Sequence, residues 1–139
     1  MIGSAMTAGD HLPSVLVVDD ELNIRELVQV ALRFHGFMVS TAASGSDALE
    51  QAAAQQPDLV VLDVTMPQMD GFGAARELRR RGCSAKIIFL TVQRGDEFVT
   101  AALESGGLAY VLKSRMYSDL VHAVRQVLSG CTFVSPATI

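Results

Sequence analysis

The stretch DLVVLDVTMPQMDG, residues 58–71, decides how the chain is read. An unbroken apolar run, Leu59 to Leu62, ends on a lone carboxylate at Asp63 and then breaks into a loop carrying Pro67 and Gly71. Consecutive apolar residues rich in β-branched types mark a strand covered on both faces, as in a parallel sheet. Such a strand has no use for an acid at its end, so Asp63 is either a turn residue or a working group.

Three further runs have the same character: VLVV (15–18), IIFL (87–90) and YVL (110–112). FMVSTA (37–42) is more polar and is expected at a sheet edge. Helical patterns separate the strands. Asn23 is placed to cap a helix presenting Leu27, Val28, Ala31 and Leu32 on one face, with Gly36 as its stop. A second helix starts at Ser46, and Asp70 caps a third carrying Ala74, Ala75 and Leu78. Asp96 caps a fourth that ends at Gly106 and Gly107. Ser118 caps a fifth, with Leu120, Val121, Val124, Val127 and Leu128 inward and Gly130 as its stop. Strand and helix alternate throughout, which predicts an α/β fold: a five-stranded, doubly wound parallel sheet flanked by five helices.

The chain of 139 residues holds one such domain, expected over 14–130. Residues 1–13 read as a disordered tail or part of a cloning scar, and CTFVSPATI (131–139) as the start of a linker. No apolar run approaches the length that spans a bilayer. The formal charge of −4 gives no general attraction to nucleic acid or to an anionic membrane. The dense basic run RELRRR (76–81) falls at a helix end, where cations offset the helix dipole. Cys83 and Cys131 have no metal-ligand spacing, and the start of the chain lacks a secretory pattern, so a reducing, cytoplasmic setting is expected.

Each central strand hands over to a polar residue: Asp19, Asp20 and Glu21 after the first, Asp63 after the third, Thr91 after the fourth, Lys113 after the fifth. Ligands of open α/β sheets bind at that edge, where strand order reverses. In the flavodoxin-like order 2-1-3-4-5, Asp19, Asp20 and Asp63 converge, flanked by Thr91 and Lys113. Carboxylates crowded together repel, so a hard divalent cation is their natural partner. Mg²⁺ with a phosphoryl group fits this donor set, Lys113 and Thr91 serving the phosphoryl oxygens. There is no nucleophilic Ser or Cys with a base, and no glycine-rich phosphate loop. His11, His35 and His122 stand apart from the cluster.

VLVVDDE, LVVLDVTMPQMDG, IIFLTV and AYVLKS, in that order from about Val15 to Gly130, resemble the motifs of the response-regulator receiver domain of two-component signalling. The resemblance implies a phosphoacceptor at Asp63. It implies a Mg²⁺ site from Asp19, Asp20, Asp63 and the backbone carbonyl of Thr65. It also implies a switch hydroxyl at Thr91, a phosphoryl-binding lysine at Lys113 and a switch aromatic at Tyr110. The implied partner is a sensor histidine kinase or a phosphotransfer protein. A phosphorylation-dependent homodimer is compatible with the switching face of the fourth helix, fifth strand and fifth helix. DNA would be reached only through an output domain absent from this sequence, and no membrane is involved.

Two positions depart from the family pattern. Val92 follows Thr91 where a small residue is usual, so it is expected to modulate phosphodonor access. Ser114 follows Lys113 where many receivers have proline. That feature, with LVHAVRQVLSGCTFVSP (120–136), is similar to the LuxR/NarL-type subfamily of transcription factors. Two other readings stay open: a phosphorylation-independent receiver serving as a dimerisation or protein-binding module, and a phosphohydrolase with an aspartyl-phosphate intermediate. Thr65 speaks against the second, since that class has an acid two residues after its nucleophile.

Overall fold

The structure is a computed structural model that describes residues 12–136. Strands β1 (Ser14–Val18), β2 (Met38–Ala42), β3 (Leu59–Asp63), β4 (Lys86–Thr91) and β5 (Ala109–Leu112) alternate with five helices. These are α1 (Leu22–Phe34), α2 (Gly45–Gln55), α3 (Gly71–Arg80), α4 (Asp96–Glu104) and α5 (Met116–Leu128), with a short 3₁₀ turn at Lys113–Arg115. All strand pairs are parallel, in the order β2-β1-β3-β4-β5-β6. The sixth strand, β6, is two residues long, Phe133–Val134, and pairs with β5.

The doubly wound sheet with β2 at one edge agrees with the sequence reading; β6 is the addition. Among the residues read as the start of a linker, Phe133 and Val134 pair with β5 and Ser135 is buried, while Pro136 is exposed. The tail expected over 1–13 lies outside the described residues up to residue 11, as does the chain from 137. Pro13 already accepts a hydrogen bond from the Met38 amide, which starts the β1–β2 pairing.

Alternate residues of each central strand enter opposite layers, which is why the runs are apolar throughout. Leu16, Val18, Val60, Leu62, Ile87 and Phe89 pack against α2, α3 and α4. Val15, Val17, Leu59, Val61, Ile88 and Leu90 pack against α1 and α5. Each fully buried aliphatic side chain contributes about 1.5–3 kcal/mol relative to exposure. From α1 only Val28 and Leu32 are buried, while Leu27 is 44% exposed, so the apolar face is narrower than the sequence pattern suggests.

Helix starts corrected four expectations. Glu21, not Asn23, occupies the N-cap of α1 and makes no side-chain cap bond. Ser44 caps α2 by accepting from the Asp47 amide, and Ser46 lies inside the helix. Gly95 precedes α4, with Asp96 as its first residue. Arg115 precedes α5, and Ser118 lies within it, donating to the Arg115 carbonyl. Each miss is a shift of one to three residues: three of the four helices start without a side-chain cap bond, so a capping side chain does not mark where they begin. Asp70 does cap α3, accepting from Gly73 N at 2.7 Å.

Candidate functional site

The acids come together as the strand order requires. One carboxylate oxygen from each of Asp19, Asp20 and Asp63 lies within 4.8 Å of the others. Asp19 and Asp63 are buried, whereas Asp20 faces solvent. β1 and β3 are direct neighbours, in register from Val15–Leu59 to Val18–Leu62, so their C-terminal ends stop side by side.

The position of Asp63 is fixed by packing behind it. Gly71, the first residue of α3, donates its amide to Val64 O at 2.8 Å. A Cβ on Gly71 would stand 2.3 Å from the Asp63 carbonyl oxygen, so no other residue lets the helix start this close to the strand. In front, Asp63 Oδ1 accepts from the Thr65 amide at 3.3 Å and lies 3.4 Å from Lys113 Nζ.

Lys113 is the hub of the charges. Its Nζ is 2.9 Å from Asp19 Oδ2 and 3.2 Å from Glu21 Oε1, with Asp63 as the third partner. Burial alone would lower its pKa, but the Asp19, Asp63 and Glu21 carboxylates outweigh it and hold the ammonium above its usual value. Asp63 moves the other way: burial first, then the Asp19 charge, push its carboxyl up to about 7, against weaker pulls from Lys113 and the Thr65 amide. Lys113 pairs with three acids and Asp20 is a fourth beside them, so the carboxylates at this edge outnumber it.

That imbalance is visible at a single atom. Asp19 Oδ1 accepts from the Glu21 amide at 2.9 Å. Buried Oδ2 is within ion-pair distance of Lys113 yet has no aligned hydrogen-bond donor. An unsatisfied carboxylate oxygen in a cluster of three acids open to solvent at Asp20 is a donor set suited to a hard divalent cation, and the residues fit that group.

The other predicted residues lie on the same edge. Thr91 ends β4, is fully buried, and accepts from the Gln93 amide at 3.0 Å. Tyr110 is buried, with its hydroxyl donating to the Gln93 carbonyl at 2.8 Å. Burial pushes its phenol up to about 12, against a smaller pull from the Thr91 hydroxyl. Here the aromatic already sits inward. Val92, 64% exposed, points away from the core.

Sequence reasoning missed two participants, Gln93 and Arg25. Gln93 ties Thr91 to Tyr110 through its backbone, and its side-chain amide lies 3.5 Å from Thr65 Oγ1, at the outer limit of a hydrogen bond. Arg25 donates to the Asp19 carbonyl at 2.7 Å. Glu21, already named at the end of the first strand, is 62% exposed and pairs with Lys113. Only Arg25, one helical turn into α1, carried a usable signal; the other contacts depend on loop geometry. A surface cavity of about 830 Å³ lies at the opposite edge of the sheet, bordered by Pro57, Asp58, Arg81, Cys83 and Lys86, and touches none of these groups.

Comparison with known proteins identifies the family of the chain. The family model for the response regulator receiver domain matches residues 15–125. The chain is 39% identical over 132 residues to the probable transcriptional regulatory protein TcrX of Mycobacterium tuberculosis, covering 93% of this chain and 56% of TcrX. It is 41% identical over 117 residues to the transcriptional regulatory protein AfsQ1 of Streptomyces coelicolor, covering 84% of this chain and 52% of AfsQ1. The chain thus spans about half the length of these relatives. Among solved structures it superposes on a LuxR-family two-component response regulator from Aurantimonas with a TM-score of 0.86 at 31% identity, covering 91% of each chain. It superposes on the Thermotoga maritima response regulator TrrA, solved in complex with Mg²⁺ and BeF, with a TM-score of 0.75 at 35% identity, covering 84% of this chain and 99% of that one. Among the described residues no helix is long and apolar enough to cross a membrane. The chain belongs to the response regulator receiver domain family.

Proposed function

We propose that Asp63 is the phosphoacceptor of this receiver and that Mg²⁺ is its cofactor, held by Asp19, Asp20, Asp63 and the Thr65 carbonyl. The observation that carries the reading is the buried Asp63 carboxylate at the end of β3, with Lys113 Nζ 3.4 Å from it and Asp19 as a second acid on the same lysine. When bound, Mg²⁺ supplies positive charge to the phosphoryl oxygens.

The chain's own residues do the rest. An Asp63 oxygen attacks phosphorus on a phosphohistidine of a sensor kinase or phosphotransfer protein. The new P–O bond forms as the P–N bond breaks, and the imidazole leaves with the electron pair and takes up a proton. Lys113 neutralises charge on the transferring group, and the Gly71 contact holds the nucleophile at a set depth. Thr91 offers a hydroxyl from the neighbouring strand. Tyr110 and the Gln93 loop form the element that responds, its inward position being one of two states biased by differential stabilisation. Slow hydrolysis of the acyl phosphate would reset the domain.

The output follows from the relatives: proteins with this domain are named transcriptional regulators, so control of transcription by a DNA-binding region outside this sequence is part of the proposal. A cytoplasmic site of action goes with it. The test is intact mass after incubation with Mg²⁺ and a small phosphodonor. One phosphoryl group should add, and none in Asp63→Asn or in chelator; addition that survives Asp63→Asn overturns the assignment. Repeating the time course with Val92→Ala tests whether Val92 narrows access.

A further inference from the structure

We propose that residues 131–136 form a detachable strap, latched on β5 by the buried pair Asp119 and Ser135, and that strap docking is coupled to phosphorylation of Asp63. The coupling rests on the phosphoacceptor reading above; the latch does not.

The strap has little else to hold it. β6 is two residues long and pairs with Ala109 and Tyr110 of β5; at its ends Phe133 N donates to Leu108 O at 3.1 Å and Ser135 N to Tyr110 O at 2.8 Å. Val134 is 44% exposed, and Phe133 is partly buried with an edge contact to His122. Ser135, by contrast, is 3% exposed. Its hydroxyl donates to Asp119 Oδ2 at 2.7 Å and accepts from the Leu112 amide at 3.2 Å. Asp119, in the first turn of α5 and 6% exposed, also accepts from Arg115 Nε at 2.8 Å and Ser118 Oγ at 3.1 Å. A buried serine joining a carboxylate to a backbone amide is a strong, charge-assisted link at the end of an otherwise weak strand. A two-residue strand whose apolar anchor is Phe133, following Gly130 (φ 96°), is short enough to open locally without unfolding the domain.

The anchors of the strap bracket the switch residues. Ser135 bonds the Tyr110 carbonyl and the Leu112 amide, and through Asp119 it reaches Arg115, the last residue of the 3₁₀ turn that begins at Lys113. The Tyr110 hydroxyl is on the Gln93 loop, and Lys113 Nζ is on Asp19 and Asp63. A phosphoryl group on Asp63 gives Lys113 a further anionic partner and holds the end of β5 as the strap requires it. Phosphorylation therefore tightens the strap. Linkage makes the effect reciprocal: a docked strap favours the phosphorylated state.

Amide exchange at positions 133 and 135, corrected for intrinsic rates, tests both parts on the full chain. Ser135→Ala should speed exchange there about tenfold or more while Ile88 in β4 stays unchanged, since a buried hydrogen bond to a charged partner is lost. Ser135→Thr, which keeps the hydroxyl, should restore protection, and Asp119→Asn should weaken it. Equal exchange in wild type and Ser135→Ala overturns the latch. With phosphodonor and Mg²⁺, and phosphoryl addition verified by mass, exchange in the wild type should slow several-fold, with no change in Asp63→Asn. Unchanged or faster exchange in a verified phosphoprotein overturns the coupling. Absence of phosphoryl addition overturns the phosphoacceptor reading and the coupling with it, while the Ser135→Ala comparison still decides the latch.

Discussion

Two clusters of charge in this molecule look alike in outline and differ in what they do. At the open edge of the sheet, Lys113 serves Asp19, Asp63 and Glu21. On α3, Glu77 serves Arg80 and Arg81. In the first, the lysine side chain is 10% exposed and two of its acids are almost fully buried; in the second, the arginines stand in water. Both shift a carboxyl, in opposite directions: burial raises Asp63, and the arginine hydrogen bonds lower Glu77 to about 2. A carboxylate held against its own preference is poised for reaction or for a cation. One that is merely comfortable in water is surface.

The comparison breaks most completely at Asp63 and Lys113. Asp63→Asn should abolish phosphoryl acceptance, yet raise the thermal midpoint by several degrees, because a buried like-charge contact is removed without loss of volume. Calorimetry beside the intact-mass assay checks both; a lowered midpoint would mean that Asp63 stabilises the fold instead of straining it. Lys113→Met should slow acceptance roughly 10²–10³-fold, the scale of losing one preorganised charge in a reacting centre. In the absence of divalent cations it should also lower stability by about 3 kcal/mol, since Asp19 and Asp63 are left buried without a counter-charge.

Packing behind the buried cluster gives the next effect. Gly71→Ala puts a methyl against the Asp63 carbonyl and must move either α3 or the end of β3. A loss of roughly 1–3 kcal/mol in urea unfolding is expected, with slower phosphoryl acceptance from a displaced nucleophile. The nearby Asp70→Ala removes only the bond to the Gly73 amide and should cost about 1 kcal/mol, with acceptance near wild type. If the two variants affected acceptance equally, the depth of Asp63 would not be set by the Gly71 contact.

The difference between these neighbours also explains what the sequence could tell. Asp63 was legible because four apolar residues precede it, and a strand buried on both faces leaves its terminal acid conspicuous. Asp19 and Asp20 were legible because strand order brings β1 beside β3. The Asp70 cap lay in an Asp-Gly step that few other residues could compete for. Asn23 and Ser118 do not cap because α1 and α5 begin earlier, behind Glu21 and Arg115, and neither start uses a side-chain cap bond that a sequence could display. Gln93 acts through its backbone, which carries no side-chain signature. Ser135 was hidden for another reason: serine beside proline in a polar tail reads as linker, and its partner Asp119 lies 16 residues earlier on a helix. Nothing local marks such a pair.

Asp119 links the two kinds of charge, being buried like Asp63 yet satisfied like Glu77. Burial alone would raise its carboxyl, but hydrogen bonds from Arg115, Ser135 and Ser118 outweigh it and hold it below the usual aspartate range. A depressed acid binds fewer protons folded than unfolded, so its contribution is present above the unfolded value and lost as pH falls through the folded one. Protection of the amides at 133 and 135 should therefore persist as pH falls through the range where ordinary carboxylates protonate and fail only in stronger acid, while Asp119→Asn should flatten that dependence. Protection that already fails between pH 6 and 5 would place its control elsewhere.

The smallest effect belongs to the exposed cluster. A carboxyl lowered to about 2 looks like a strong interaction, and Glu77 does bond both arginines. Each partner remains largely hydrated, however, and holding two long side chains on one acid costs conformational freedom that offsets the attraction. Salt near physiological strength screens what is left. Glu77→Gln should leave the unfolding midpoint almost unchanged at 0.15 M salt and shift it only slightly at low salt, with phosphoryl acceptance untouched. Carbon-detected titration of the wild type should still find the Glu77 carboxyl well below the usual range. The same measurement would then show a large shift with little consequence for the fold, because depth in the protein, and not the size of a shift, decides what a charge does to the molecule.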